Sequence, residues 1–95
     1  MARRKRQRRT VYIGEQRWKI TRARLRGIYG DCNYATRTIR LHGGLRGVDL
    51  LDTLIHELIH ARWPDLSEDA VVEFSETLSA VLDAEGFRHA EDQEE

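Results

Sequence analysis

The stretch that decides the fold spans residues 50–60 and reads LLDTLIHELIH. On a helical wheel its leucine and isoleucine residues fill one arc, and the threonine, the glutamate and both histidines fill the opposite arc. This pattern predicts an amphipathic helix that buries its apolar arc. We expect the helix to begin at an N-cap Asp49 and to end near Arg62, because Pro64 cannot continue it.

The polar arc carries the chemistry. His56 and His60 are four residues apart, so their imidazoles lie one turn apart on the same side of the helix. Two imidazoles in that arrangement reach a single tetrahedral zinc ion. Glu57 follows the first histidine, and its carboxylate is then placed beside a zinc-activated water, where a general base is needed. The alternative is a surface helix whose polar side happens to contain two histidines, and the three residues together favour the zinc site.

A catalytic zinc site usually needs a third protein ligand. Zinc proteases with an extended motif take a third histidine at a fixed offset, but Trp63 and Leu66 occupy the diagnostic offsets here. The ligand is therefore expected from a second helix, which we predict from about Ser67 to Ala84 with Gly86 as its end signal. That helix offers four carboxylates: Glu68, Asp69, Glu73 and Glu76.

The register of the two helices ranks these carboxylates. The turn around Pro64 is short, so the second helix should fold back beside the first, with its first turn level with His60. Glu68 is then the nearest carboxylate to the two imidazoles, and Glu73, about 7.5 Å further along the axis, is the second choice. The alternative role for Glu68 is that of a helix-start residue, stabilised by the helix dipole and by a capping box with Asp65.

Two β-hairpins are expected before the helices. Residues 10–13 and 17–20 are rich in β-branched and aromatic side chains and flank a turn at Gly14. A second pair is predicted at residues 25–29 and 36–42, joined by a turn at residues 30–33. The predicted fold class is α+β: a small antiparallel or mixed sheet, then an active-site helix and a second antiparallel helix. We place three aromatic side chains in its core: Trp18, Trp63 and Phe74.

The net charge is zero, but the charges are segregated along the chain. Residues 1–46 contain fourteen Lys or Arg against two acids, and residues 65–95 contain eleven acids against one base. Six of the cations lie between Arg3 and Arg9, in a basic arm of the kind that contacts nucleic-acid phosphates. The arm is alternatively a solvated tail, or a segment that folds against the acidic half. The expected organisation is a disordered arm (1–9), one domain (10–86) and a frayed acidic tail (87–95).

Length and composition limit the class of protein. Ninety-five residues make one domain, and no window of eighteen residues is apolar enough to predict a membrane span. The N-terminus is charged and lacks the apolar core of a signal peptide. Cys32 is the single cysteine, which excludes an internal disulfide framework and fits a reducing cytoplasm. We treat its thiol as partly buried near a turn, with zinc ligation as the weaker alternative.

Two segments carry a resemblance to a known family. Residues 53–61, TLIHELIHA, followed by residues 66–71, LSEDAV, resemble the small zincin-like metallopeptidases of bacteriophages and prophages. These are glutamate-type zincins, distantly similar to the SprT-like and ImmA/IrrE groups. Residues 30–32 and 38–42 are also similar to that family's approach to its active-site helix, so the resemblance covers roughly residues 25–82. It implies a minimal zincin-like domain acting in the cytoplasm of a bacterial host, and the basic arm lies outside it.

The expected function is that of a zinc metallopeptidase. His56, His60 and Glu68 hold Zn²⁺, and Glu57 takes the proton of a water that attacks a peptide carbonyl. The strand at residues 38–42 is expected to be an edge on which a peptide pairs. Four residues are candidates for stabilising the oxyanion: Tyr29, Tyr34, Arg40 and His42. Two alternatives remain: a nucleic-acid accessory protein that uses the basic arm, and a non-catalytic zincin-like binding module.

Overall fold

The computed structural model describes residues 8–90, and within that range the chain forms four strands followed by two helices. The elements are β1 (Arg8–Ile13), β2 (Gln16–Ala23), β3 (Gly30–Asn33), β4 (Thr38–His42), α1 (Gly47–Arg62) and α2 (Glu68–Ala84). The predicted α+β class is confirmed. Arg8 and Arg9 belong to β1 instead of the arm, whose other residues, like most of the expected acidic tail, lie outside the described range. Neither helix within it has both the length and the apolar character needed to cross a membrane.

The strands form a mixed sheet with the order β1-β2-β4-β3. β1 and β2 are antiparallel and are joined by a tight turn at Gly14, whose φ is +62°. The first predicted hairpin is therefore confirmed, with the glycine supplying the left-handed backbone that its turn requires. β2 and β4 run parallel, and β3 and β4 run antiparallel. β4 thus lies inside the sheet, so the prediction that it offers a free edge is wrong.

The second predicted hairpin is present with a different register. Residues 25–29 are not a strand, and the first strand of the pair is β3, which the sequence reads as a turn. The turn itself lies at residues 34–37. The physical reason is Gly30: a Cβ there would lie 2.8 Å from the carbonyl oxygen of Arg40 and 3.0 Å from Cγ2 of Thr53. Its glycine permits β3 to pass close to β4 and α1, which is a role that local turn chemistry does not reveal.

The helix ends follow partly from local signals. Ser67 is the N-cap of α2 and accepts a hydrogen bond from the Ala70 N–H at 3.2 Å, and Gly86 follows the helix with a φ of +94°. Both ends of α2 are thus confirmed. Asp49 as N-cap of α1 is wrong, because the chain enters this helix earlier, at Gly47, whose φ is +61°. Asp49 lies in the first turn instead, where its negative charge interacts favourably with the helix dipole.

α1 is packed on two sides. Leu50, Leu54 and Leu58 pack with the sheet residues of the core, which include Trp18 and Ile39. On its other side α1 packs against α2. Burial of each large apolar side chain contributes roughly 1.5–3 kcal/mol, so these contacts hold α1 in place. It is also the helix that carries the His-Glu-x-x-His motif.

The prediction that three aromatic side chains lie in the core is wrong for two of them. Trp18 is 1% exposed and belongs to the core, but Trp63 is 49% exposed and Phe74 is 52% exposed. α2 instead buries a narrow strip of small side chains at a spacing of four residues: Val71, Ser75 and Ser79. Phe74 is about 100° around the helix from Ser75 and so misses the contact with α1.

Candidate metal centre

Two imidazoles face each other on α1. His56 and His60 are one turn apart, and their ring centroids are separated by 4.7 Å. The Nε2 atoms of the two rings are 3.2 Å apart. Because the same nitrogen of both rings points to one place, their lone pairs can serve a common cation.

α2 brings a carboxylate to the same place. Glu68 is its first residue, and its Oε1 lies 3.0 Å from Nε2 of His60 while its Oε2 lies 3.4 Å from Nε2 of His56. Ser67 caps the helix immediately before it, so the position of Glu68 is set by the turn between the two helices. The first turn of α2 is thus level with the end of α1, as the helical register predicts. Glu73 is not part of this group.

The three side chains fit a zinc ion. In a tetrahedral site with bonds of about 2.0–2.2 Å, neighbouring ligand atoms are about 3.3–3.6 Å apart. The two Nε2 atoms, 3.2 Å apart, are close to that edge length, and each of the two Glu68 oxygens lies near one of these nitrogens, at 3.0 and 3.4 Å. Two imidazole nitrogens and one carboxylate oxygen also form a ligand set of catalytic zinc sites, which keep a further position open. Among residues 8–90, these three are the group whose ligand atoms are close enough to share an ion.

Glu57 is buried beside the group without belonging to it. The residue is 7% exposed, and its carboxyl is close enough to His60, to Glu68 and to Asp31 of β3 for their charges to act on its pKa. Burial raises the pKa of Glu57 to about 6, which the nearby His60 partly opposes. A carboxylate with this pKa is ionised at neutral pH yet holds a proton well enough to pass it on. That is the protonation behaviour expected of a general base.

β3 and the turn after it complete the surroundings of Glu57. The hydroxyl of Tyr34 donates a hydrogen bond of 3.1 Å to the backbone oxygen of His60. The ring of Tyr34 packs edge-on against buried Trp18, with centroids 6.1 Å apart. Burial, and then the charge of Glu57, raise the pKa of the Cys32 thiol to about 11. Cys32 is therefore a neutral neighbour of the site, and it is not in the ligand group.

The four candidate oxyanion stabilisers are now distinguished by position. Tyr34 contacts a histidine of the group, through the backbone. Arg40 donates to Asp31 from its Nε at 2.9 Å, and His42 accepts from the Gly44 N–H at 2.9 Å. Arg40 and His42 alternate along β4 with buried Leu41, which places them on the face of the sheet opposite α1. Tyr29 is largely exposed before β3.

Sequence reasoning missed the anchoring of α1 by Tyr34. The pattern contained a tyrosine near a turn, which has no distinctive signal, and its role depends on the pairing of β3 with β4. Comparison of the chain with protein-family models, with curated proteins and with solved structures gave no match. The chemistry of this centre is therefore inferred from its own residues.

Proposed function

We propose that this protein is a zinc-dependent metallopeptidase. The observation that carries the proposal is the convergence of His56, His60 and Glu68 within 4.8 Å, with Glu57 buried next to them. The first three are the metal ligands and the fourth is the general base. The resemblance of residues 53–61 and 66–71 to phage and prophage zincins supports the same assignment.

Each ligand contributes in a definite way. When bound, zinc supplies Lewis acidity and lowers the pKa of water towards about 7. His56 and His60 bind as neutral imidazoles, which keeps both Nε2 lone pairs available. Glu68 adds one negative charge at the N-terminus of α2, where the helix dipole stabilises it. The two histidines are fixed by the helix that is packed on both sides, so the donor atoms are preorganised.

Glu57 moves the proton. It accepts a proton from the water that attacks the peptide carbonyl and passes it to the leaving amine. Its burial serves this role in two ways: the raised pKa makes the carboxylate a stronger base, and the surrounding side chains exclude bulk water.

The substrate class is suggested by the edge of the sheet. β3 pairs with β4 on one side, and no other described strand pairs with its second side. β3 also packs against α1, the helix of the two histidines. An extended peptide that adds to this edge would run alongside α1, so β3 takes the place of β4 as the proposed binding strand. Main-chain pairing of this kind favours a polypeptide over a small ester.

The decisive experiment combines zinc content with proteolysis. The purified 95-residue chain should contain about one zinc per chain and should cleave an unfolded protein such as denatured casein, with the new termini identified by mass spectrometry. Glu57→Gln should keep the zinc and the fold while losing about two or more orders of magnitude of activity. Glu73→Gln is the matched control, since it removes a carboxylate from α2 outside the group.

Three results would contradict parts of the proposal. Loss of zinc in Glu57→Gln would show that this residue is a ligand. Unchanged cleavage by Glu57→Gln would show that it is not the base. Stoichiometric zinc without cleavage of any tested polypeptide would favour a non-catalytic binding module.

A further inference from the structure

The two faces of the sheet differ in chemistry. Val11, Trp18 and Ile39 point to the core, and side chains alternate along each strand. The opposite face, which we call the outer face, carries the residues that alternate with the core-facing ones in β1, β2 and β4: Arg8, Thr10, Tyr12, Arg17, Lys19, Thr21, Ala23, Thr38, Arg40 and His42. α1 packs on the core face and α2 packs on α1, so no described element covers the outer face. The proposed peptidase does not use this polar surface.

The outer face is positively charged. Four of the ten Lys or Arg in residues 8–46 lie on this face: Arg8, Arg17, Lys19 and Arg40. Asp31 of β3 pairs with Arg40, which neutralises it. Arg8, Arg17 and Lys19 are exposed and form no ion pair with any residue in the range 8–90. These three charges are available to an anionic partner.

An aromatic ring lies among these charges. Tyr12, the penultimate residue of β1, is 72% exposed. The register pairs Tyr12 directly with Arg17, and Lys19 lies two residues further along the same strand. A directly paired residue is about 4.5–5.5 Å away between Cβ atoms, so Tyr12 and Arg17 are neighbours on the outer face. A planar ring beside two free cations suits a partner that offers both a flat base and phosphates.

The positive surface continues past the ends of β2 and β4. A shallow hollow there is lined by Arg22, Arg24 and His42, together with the backbone of Gly43 and Gly44. Since Nδ1 of His42 accepts the Gly44 N–H, the ring of a neutral His42 carries its proton on Nε2 and can donate from it. The hollow therefore adds the Arg24 guanidinium and the His42 N–H to one end of the outer face. The Arg22 guanidinium donates instead to the backbone oxygens of His42 and Gly43.

We propose that the outer face binds single-stranded nucleic acid. Arg8, Arg17 and Lys19 contact phosphates, and Tyr12 stacks on a base. The positive charge of the outer face favours a polyanion, and the exposed Tyr12 ring favours a polyanion whose bases are not already stacked in a duplex. Acidic proteins carry negative charge but have no bases to stack on the ring. The site lies on the sheet surface opposite α1, so it is independent of the proposed peptidase activity.

The test is a binding titration by fluorescence anisotropy with the full chain. The probes are labelled oligothymidine and oligouridine of about fifteen nucleotides and a duplex of equal length, each at several salt concentrations. Arg17→Gln with Lys19→Gln should weaken single-strand binding at least about tenfold and reduce the salt slope by about 1.4, since each lost phosphate contact on a single strand contributes about 0.7. Arg62→Gln with Arg88→Gln, on the helical side, removes the same charge and should change affinity less than about twofold.

Tyr12 separates the stacking contact from the charge contact. Tyr12→Ala should weaken single-strand binding about fivefold or more and leave duplex binding unchanged, whereas Tyr12→Phe should bind as the parent does. Circular dichroism confirms that each variant is folded. Equal losses in the two double variants would show that affinity follows the net charge of the protein and not the outer face, and would overturn the proposal. Equal weakening of single-strand and duplex binding by Tyr12→Ala, or competition by polyglutamate as strong as by oligothymidine, would also overturn it.

Discussion

The helix pair and the sheet of this protein differ both in charge and in how they are built from the sequence. The described residues from 65 onwards contain seven acids against one base, while residues 8–46 contain ten bases against two acids. The three candidate ligands and Glu57 come from a segment of thirteen residues, 56–68, whereas the outer face gathers side chains from three strands. A site built from neighbours in the chain can be recognised in the sequence. A surface built by strand pairing becomes visible only in the fold.

The largest effect is expected at the local site. Replacing both His56 and His60 by alanine removes two of the three proposed ligands, so stoichiometric zinc binding should be abolished. Zinc should also raise the melting temperature of the parent protein and leave that of the variant unchanged, because the ion binds the folded chain only. Metal analysis and thermal unfolding with and without a chelator measure both. Full zinc occupancy in the double variant would contradict the assignment of His56 and His60 as zinc ligands.

The second prediction concerns the contribution of α2. Glu68 lies 3.0 Å from His60, so Glu68→Ala should weaken zinc binding about a hundredfold, which corresponds to about 2.7 kcal/mol. Glu73→Ala removes the same charge from the same helix outside the group and should leave the affinity in place. Competition with a chromogenic chelator gives both constants. The reverse order would show that α2 is displaced by more than one turn in solution.

The residues around the metal centre also show why the helices could be predicted from the sequence. The end of α1, the start of α2 and the ligand register follow from Pro64, Ser67 and helical periodicity, all of which act over a few residues. The polar arc of α1 was a poorer guide to which of its residues are exposed. Thr53 and Glu57 are buried although they lie on its polar arc, because β3 covers that side.

The sheet was less predictable, since its β3 strand depends on distant partners. Gly30-Asp31-Cys32-Asn33 has the composition of a turn, and its extended form is fixed by pairing with β4 and by the ion pair of Asp31 with Arg40. The exposure of Phe74 also depends on packing between elements, although here a residue predicted to be buried is exposed. Its helical spacing predicts burial, but α2 meets only one other layer through a narrow strip. Packing between elements decided both outcomes.

The third prediction tests that dependence at β3. Gly30→Ala should destabilise the protein by about 2–3 kcal/mol, because the new methyl group would meet the backbone oxygen of Arg40 at 2.8 Å. Gly43→Ala is the matched control, since the nearest atom to its added Cβ is 3.7 Å away and little change is expected. Urea unfolding measures both. Equal stability of the two variants would mean that β3 is not held against α1 as described.

The fourth prediction uses the burial of Glu57, in protein freed of metal by a chelator. The pKa of Glu57 is raised from 4.5 to about 6 in the folded chain, so the folded state binds a proton more tightly than the unfolded state does. The resulting stabilisation is complete below about pH 4.5 and is lost as the pH rises through about 6, with a total of about 2 kcal/mol. Glu57→Gln should therefore be more stable than the parent at pH 8 and similar to it at pH 4. A parent and variant whose stabilities run parallel across that range would contradict the raised pKa.

The smallest predicted effect links the two regions through Cys32 on β3. Its thiol pKa of about 11 leaves about 0.1% thiolate at pH 8. Alkylation of the folded protein by iodoacetamide should therefore be about a hundredfold slower than alkylation of the protein unfolded in urea. The charge of Glu57 is the second cause of that raised pKa, after burial. Glu57→Gln should thus accelerate the alkylation a few-fold in metal-free protein, and Glu73→Gln should not. Because the thiol belongs to the sheet and the carboxylate to α1, an equal rate in all three proteins would show that the two regions are further apart than the structure places them.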